Sequence, residues 1–131
     1  MHNVKQESEL QVITPNEPGI FGKVLGTLAH AQINLRAVFA YSEKDKGIFF
    51  LVTSDNDKAE KSLKSLGYKV STNSVVTAQV HDRIGVGAEI GALLGNAVID
   101  IKHCYTSSVG GEKVLLVLQT SDNKKAVETL R

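Results

Sequence analysis

Two short stretches of this chain have the residue types needed to bind a small anion. The first is Asn16-Glu17-Pro18-Gly19-Ile20-Phe21, and the second is Asp82-Arg83-Ile84-Gly85-Val86-Gly87. Each joins an apolar segment to a helical pattern. The first N–H groups of a helix have no intrahelical acceptor and carry the positive end of the helix dipole. A glycine there lets a ligand approach the backbone, so both stretches predict a small-molecule site.

An α-amino acid would suit such a site because it needs donors for its carboxylate and acceptors for its ammonium group. The candidate donors are the amides of Gly19-Ile20 and Gly85-Val86. The candidate acceptors are four polar side chains, two for each stretch: Asn16, Asn34, Asp82 and Asp100. Asn and Asp are also common helix caps and strand-start residues, so a purely structural role for each stays open.

The composition excludes several classes of partner. The chain has 15 basic and 14 acidic residues, a formal charge of +1 and no long block of like charges, so neither nucleic acid nor a membrane is predicted. A single cysteine, Cys104, fits a reducing compartment. No apolar run approaches the ~20 residues of a membrane span, and residues 1–8 are expected to form a frayed leader. The chain is therefore predicted to be cytoplasmic.

Apolar patterns predict the elements that hold the two stretches in place. Alternating apolar residues indicate strands, and apolar residues three or four apart indicate helices. The predicted strands are 9–14, 33–41, 48–53 and 68–72. The first predicted helix begins near Glu17 or Pro18, and the second covers 58–66. The order β-α-β-β-α-β is typical of an antiparallel sheet with two helices on one face, a ferredoxin-like α+β fold.

The same pattern returns 66 residues later, the separation of Gly19 and Gly85. After one inserted residue in a turn, Ser54-Asp55-Asn56 corresponds to Ser121-Asp122-Asn123. A match of this length indicates an internal duplication, with units at 9–73 and 74–131. The second unit lacks its last strand. We expect the two units to merge their sheets, with the helices on one face, and the chain to form a homodimer that protects a free sheet edge.

The two stretches resemble the signature of the ACT-domain family. That signature is Asp or Asn followed by Pro-Gly and aliphatic residues, with a Gly-Ile-Asn-Ile-like strand start some fifteen residues later. The first unit matches it with Asn16, Pro18-Gly19 and Gln32-Ile33-Asn34-Leu35. The second unit matches it more loosely, with Val98-Ile99-Asp100-Ile101 at the strand start and Ile84 in place of the proline.

The resemblance implies a non-catalytic module that binds an amino acid and regulates a metabolic enzyme. In the family, the ligand usually lies between the first loop of one module and the second strand of its neighbour. The predicted ligand-binding residues are Asn16, Glu17, Pro18, Gly19, Ile20, Asn34, Leu35, Asp82, Ile84, Gly85, Val86, Asp100 and Ile101. No catalytic residue, metal or cofactor is predicted. A ligand-free regulatory subunit or interaction module for a biosynthetic enzyme stays open as an alternative.

Three other chemistries have weaker support. The glycines of Gly85-Val86-Gly87-Ala88-Glu89-Ile90-Gly91 are spaced one residue too widely for a dinucleotide fingerprint. Lys46-Gly47-Ile48-Phe49-Phe50-Leu51-Val52 is similar to an RNA-recognition strand, but residues 10–14 offer no second aromatic. Asp82-Arg83-Ile84-Gly85-Val86 resembles an acylphosphatase loop without an assured catalytic asparagine. A small acylphosphatase-like enzyme is the remaining alternative.

Overall fold

The computed structural model describes residues 1, 3–108 and 110–131. They form an α+β fold with six strands and four helices. The strands are β1 (Asn3–Pro15), β2 (Leu35–Glu43), β3 (Lys46–Thr53), β4 (Lys69–His81), β5 (Ile101–Ser107) and β6 (Lys113–Thr120). The helices are α1 (Ile20–His30), α2 (Asn56–Lys64), α3 (Val86–Asn96) and α4 (Asn123–Leu130).

The strands form one antiparallel sheet in the order β2-β3-β1-β4-β6-β5. This arrangement confirms the predicted α+β class with a merged antiparallel sheet. In the hairpin of β2 and β3, Phe39 lies opposite Phe50. In the hairpin of β5 and β6, Tyr105 lies opposite Val117. No described helix has the length and apolarity to cross a bilayer.

The chain divides into two compact units. The first unit is Ser8–Asn73, and the second unit combines Met1–Glu7 with Ser74–Arg131. The long strands β1 and β4 therefore contribute one segment to each unit. Because α4 ends at Leu130, no strand follows it in the described chain, as predicted. The N-terminal segment groups with that unit instead.

The core of the first unit lies between two helices and alternate residues of its strands. α1 contributes Ile20, Val24 and Leu28, which recur at helical spacing and therefore share one face. α2 begins after Asp55, whose Oδ1 accepts a hydrogen bond from Lys58 N–H at 3.0 Å. Both helices contribute to one cluster with the strands, so they cover the same face of this unit. The strand, junction and α2 residues of the cluster are Leu10, Val12, Ile33, Phe49, Leu51, Ala59 and Leu63.

The core of the second unit repeats this arrangement. α3 contributes Val86, Ile90 and Leu94, and the carboxylate of Asp122 caps α4 by accepting from Lys125 N–H at 3.0 Å. Val4 of β1 belongs to the same cluster and is 2% exposed. The remaining members are Val76, Ala78, Val80, Ile99, Val114, Leu116, Leu118, Ala126, Val127 and Leu130.

The expectation of a frayed leader is wrong. Asn3 begins β1, and the burial of Val4 gives this segment a hydrophobic anchor. Its polar residues are also bonded within the second unit. Gln6 Nε2 donates to Ser74 Oγ at 2.8 Å, and the hydroxyl of Thr77 donates to the carboxylate of Glu7. The sequence pattern does not reveal this strand, because a single apolar residue in a polar stretch gives no alternation.

Candidate functional site

Both glycines of the predicted sites adopt the left-handed backbone conformation. Gly19 has φ 88° and ψ −5°, and Gly85 has φ 89° and ψ −1°. Ile20 N–H donates to Glu17 O at 3.2 Å, and Val86 N–H donates to Arg83 O at 3.3 Å. These are features of type II β-turns, which favour glycine at the third position because its φ is positive. The predicted start of α1 at Glu17 or Pro18 is wrong, since those residues form this turn.

The space above both turns is open. A Cβ built on Gly19 or Gly85 would meet no heavy atom within 4 Å. The turn occupies the amides of Ile20 and Val86, so these predicted carboxylate donors are already bonded. Within the described residues, the next amides along each helix have no hydrogen-bond acceptor and point to the same end of the helix. They belong to Phe21, Gly22, Gly87 and Ala88.

Each turn is anchored to the neighbouring hairpin by the residue that precedes it. Asn16 N–H donates to Asp45 O at 2.9 Å, and its Nδ2 donates to Lys44 O at 3.3 Å. Asp82 N–H donates to Glu112 O at 2.8 Å in the second unit. Neither residue caps its helix with a side chain, because both N-cap positions are the glycines. The side-chain oxygens of Asn16 and Asp82 therefore stay available as acceptors within the described structure.

The predicted acceptors on the second strands are held by their backbones. Asn34 N–H donates to Ser54 Oγ at 3.0 Å, and Ser54 N–H donates to Asn34 O at 2.9 Å. Asp100 and Ser121 repeat both bonds at 2.9 Å. Because the backbone makes these structural bonds, the exposed side chains of Asn34 and Asp100 are free to contact a ligand.

The other predicted residues divide by burial. The side chains of Ile20 and Val86 are 8% and 9% exposed and belong to the cores, so only their backbones can reach a ligand. Leu35 and Ile101 are half-buried at the starts of β2 and β5. Glu17, Pro18 and Ile84 are exposed in the turns. The ligand-binding role of the thirteen residues remains a prediction.

An open pocket of about 280 Å³ lies beside the second turn, wholly inside the second unit. Its polar wall contains Gln79, His81, Arg83, Glu89 and Lys113. Val80 and Val86 form its apolar part, and Met1 and Asn3 line it from the N-terminal segment. Of the predicted ligand-binding residues, only Val86 lines this pocket.

The basic and acidic groups of this pocket occur as two pairs. Arg83 forms an ion pair with Glu89 of the first turn of α3. His81 and Lys113 are direct partners in the ladder between β4 and β6, so their side chains leave the same face of the sheet. Within the described residues, neither His81 nor Lys113 has an ion-pair partner. The sequence suggested Arg83 only as part of an acylphosphatase-like loop, and it did not point to His81, Glu89 or Lys113 as ligand-binding residues.

A charge comparison of the two repeats contains one signal of this pocket. Glu17 and Lys23 occupy the positions of Arg83 and Glu89, so the two signs are exchanged between the units. Each unit therefore has one positive and one negative side chain around its turn, but the turn residue is acidic in the first unit and basic in the second. The contribution of Met1 and Asn3 leaves no comparable trace, because it depends on pairing between segments distant in sequence.

A second pocket, of about 320 Å³, lies at the hairpin of β2 and β3 in the first unit. Its charges balance, with Glu43 and Asp45 against Lys44 and Lys46, and it includes none of the predicted ligand-binding residues. Among the described residues, no group of three or more His, Cys, Asp or Glu side chains could hold a metal ion.

The chain belongs to the family of ACT domain pairs, whose match covers residues 4–130. The resemblance seen in the sequence is therefore confirmed. ACT domains are regulatory modules, and membership supports a regulatory, ligand-binding role. The chain matches none of the curated proteins with which it was compared.

Solved structures share the fold along nearly the whole chain. Protein BT0572 from Bacteroides thetaiotaomicron is 27% identical, with a TM-score of 0.87 over 98% of this chain and 88% of that chain. The regulatory subunit of aspartate kinase from Thermus thermophilus, in a ligand-free form, is 16% identical, with a TM-score of 0.71 over 97% and 93% of the two chains. The corresponding subunit from Thermus flavus is 16% identical, with a TM-score of 0.64 over 97% and 94%.

Proposed function

We propose that this protein is a non-catalytic regulatory module that binds a small amino acid. The observation behind this proposal is the repeated type II turn, which has open space around its glycine and is followed by unbonded helix amides in both units. Amides of this kind bind a carboxylate, and the side chains of Asn16, Asn34, Asp82 and Asp100 offer acceptors for an ammonium group. The thirteen predicted residues, in units 9–73 and 74–131, make up the two proposed sites.

The regulatory signal would come from differential affinity. A ligand changes the state of a protein only if it binds one arrangement more tightly than another. We place the protein in the cytoplasm, consistent with its single cysteine, and propose a homodimer that acts on a metabolic enzyme. Family membership supports regulation, and the dimer and the enzyme partner extend the proposal beyond it.

A second candidate is a separate regulatory subunit that works without a ligand of its own. The similarity to regulatory subunits of aspartate kinase favours it, because those proteins have the same paired fold over almost their whole length. In that case the chain would bind a biosynthetic enzyme through its surface, and both turns would serve the fold alone.

Thermal unfolding against each of the twenty amino acids separates the two candidates. A ligand at 100 times its Kd stabilises the folded state by ~2.7 kcal/mol, so one class of amino acid should raise the melting temperature. Gly19→Val and Gly85→Val should each remove the rise contributed by their own turn. A β-branched side chain strains the left-handed backbone there and enters the open space.

Gly67→Val is the matched control. Gly67 has φ 87° and open space around a built Cβ, but it lies after α2, away from both turns. This variant should lose stability to a similar extent and keep the ligand response. An unchanged response in the Gly19 and Gly85 variants would reject the turns as binding sites. No response to any amino acid, together with copurification of a biosynthetic enzyme, would favour the second candidate.

A further inference from the structure

Three basic side chains line the pocket of the second unit: His81, Arg83 and Lys113. Lys113 and His81 stand side by side at the end of the β4 and β6 ladder. Arg83 reaches the pocket from the turn. Two of these groups have fixed positive charge, and neither Lys113 nor His81 has an acidic partner in the described chain. The unpaired ammonium group of Lys113 beside a cavity favours an anionic ligand.

Glu89 is the acidic side chain that lines this pocket, and it lies in the first turn of α3. It orients the guanidinium of Arg83 through their ion pair. A guanidinium has five N–H donors, so one carboxylate leaves donors for another. The side chains of Arg83 and Glu89 are 54% and 46% exposed, so both remain accessible to a solute. Glu89 can thus accept from an ammonium group while Arg83 donates to a carboxylate.

The first unit lacks this arrangement although it has the same turn. Pro15 occupies the position of His81 in the strand, opposite Lys46. Glu17 stands in the loop where the second unit has Arg83. The loop of the first unit therefore places a negative charge where an incoming carboxylate would need a positive one.

We propose that the second-unit pocket selects an amino acid with an acidic side chain. Arg83 and Lys113 bind its two carboxylates, and Glu89 binds its ammonium group. The pocket volume of about 280 Å³ lies just below the ~300–1,000 Å³ of pockets for drug-sized ligands, which suits a small metabolite. This inference rests on the proposed amino-acid-binding function, and it places a ligand of a named class in a pocket that shares Val86 with the proposed site of the second unit.

Isothermal titration calorimetry with five probes tests the inference. The probes are L-glutamate, L-aspartate, glutarate, inorganic phosphate and L-leucine. L-glutamate or L-aspartate should bind most tightly. Arg83→Gln and Lys113→Gln should each weaken that binding about tenfold or more, since a hydrogen bond to a charged group is lost. Glu89→Gln should reduce the preference for L-glutamate over glutarate, which lacks only the amino group.

Lys46→Gln is the matched control, because Lys46 opens β3 as Lys113 opens β6. It should leave the affinity unchanged. Equal binding of phosphate, glutarate and L-glutamate would overturn the inference in favour of a simple anion site. Binding of L-leucine without binding of L-glutamate or L-aspartate would overturn the acidic class but keep the proposed function. If none of the twenty amino acids binds, the proposed function fails as well.

Discussion

At the scale of single residues, the two turn glycines combine a positive φ with open space around the α-carbon. The positive φ of Gly19 and Gly85 is what the type II turn requires, and it would be required without any ligand. The open space above them is a separate fact, because a turn can be covered by neighbouring side chains. The proposed ligand binding depends on that space and on the amides that follow the turn.

Replacing Gly19 and Gly22 by alanine should have opposite effects on stability. Gly19→Ala should lower the free energy of unfolding by about 1–2 kcal/mol, since an L-residue is strained at φ 88°. Gly22→Ala should raise it by up to about 1 kcal/mol, because alanine favours a helix and its Cβ meets nothing within 4 Å. Urea unfolding of both variants measures the difference. A destabilising Gly22→Ala would instead show that this face of α1 is packed in the protein's assembly.

At the scale of elements, the sequence predicted the order and type of most segments. The carboxylate of Asp55 caps α2, and Gly67 after α2 has a positive φ, as the local preferences of these residue types favour. The boundaries were less accurate. The sequence predicted one strand at 68–72 and, by the 66-residue repeat of 9–14, another at 75–80, whereas β4 runs unbroken through Lys69–His81. Polar residues hide a strand whose partners lie far away in sequence.

For the candidate site, the local features could likewise be predicted, whereas the features that depend on distant segments could not. The glycine at each strand-to-helix junction could be predicted because its backbone preference is local, but the turn formed by Glu17 and Pro18 was predicted as the start of α1. The pocket could not, because it forms where Asn3 and Met1 come beside the end of β4. Local preferences contain no information on that proximity. Comparison of the repeated charges around the turn would have pointed to Arg83 and Glu89.

Asn56 at the start of α2 and Asn123 at the start of α4 should each contribute strongly to the stability of the fold. Asn123 Oδ1 accepts from Thr120 N–H at 3.1 Å and from Thr120 Oγ1 at 2.7 Å, while its Nδ2 donates to Ser74 O at 2.8 Å. Asn56 repeats this set in the first unit. Asn123→Ala should cost about 2–3 kcal/mol, because three hydrogen bonds are lost around the buried Thr120.

Chemical denaturation measures this cost, and Asn56→Ala should show a similar one. Asn96→Ala is the control, since Asn96 is exposed at the end of α3 and should change stability by less than ~0.5 kcal/mol. Equal effects of Asn123→Ala and Asn96→Ala would contradict the structural role of this bond set.

At the scale of the whole molecule, the two units are not consecutive pieces of chain. Met1–Glu7 groups with Ser74–Arg131, so the second unit has the strand segment that its own C-terminal part does not supply. Arg131 Nε also donates to Val4 O at 3.2 Å, which joins the two ends of this unit. In the second unit, the N-terminal segment can thus make the contacts that the fourth strand makes in a complete unit, although it precedes the first unit in sequence.

Substitution at Val4 tests that grouping. Val4→Ala should lower the free energy of unfolding by roughly 2 kcal/mol, because a side chain with 2% exposure in the core is truncated. Lys5→Ala is the neighbouring control, and its exposed position predicts a change within ~0.5 kcal/mol. Equilibrium unfolding in urea provides both values. A neutral Val4→Ala would show that the N-terminal segment is not anchored in the second unit.

The divided first strand also sets an order for folding during synthesis. Every strand of Ser8–Asn73 has left the ribosome once residue 73 emerges, whereas residues 3–7 must wait for the chain beyond Ser74. Domains synthesised first generally fold first, so this short segment spends the interval unpaired. The polar side chains of Lys5, Gln6 and Glu7 favour hydration of the unpaired segment. Because Val4 is the one apolar residue of 3–7, the segment offers little surface for premature association.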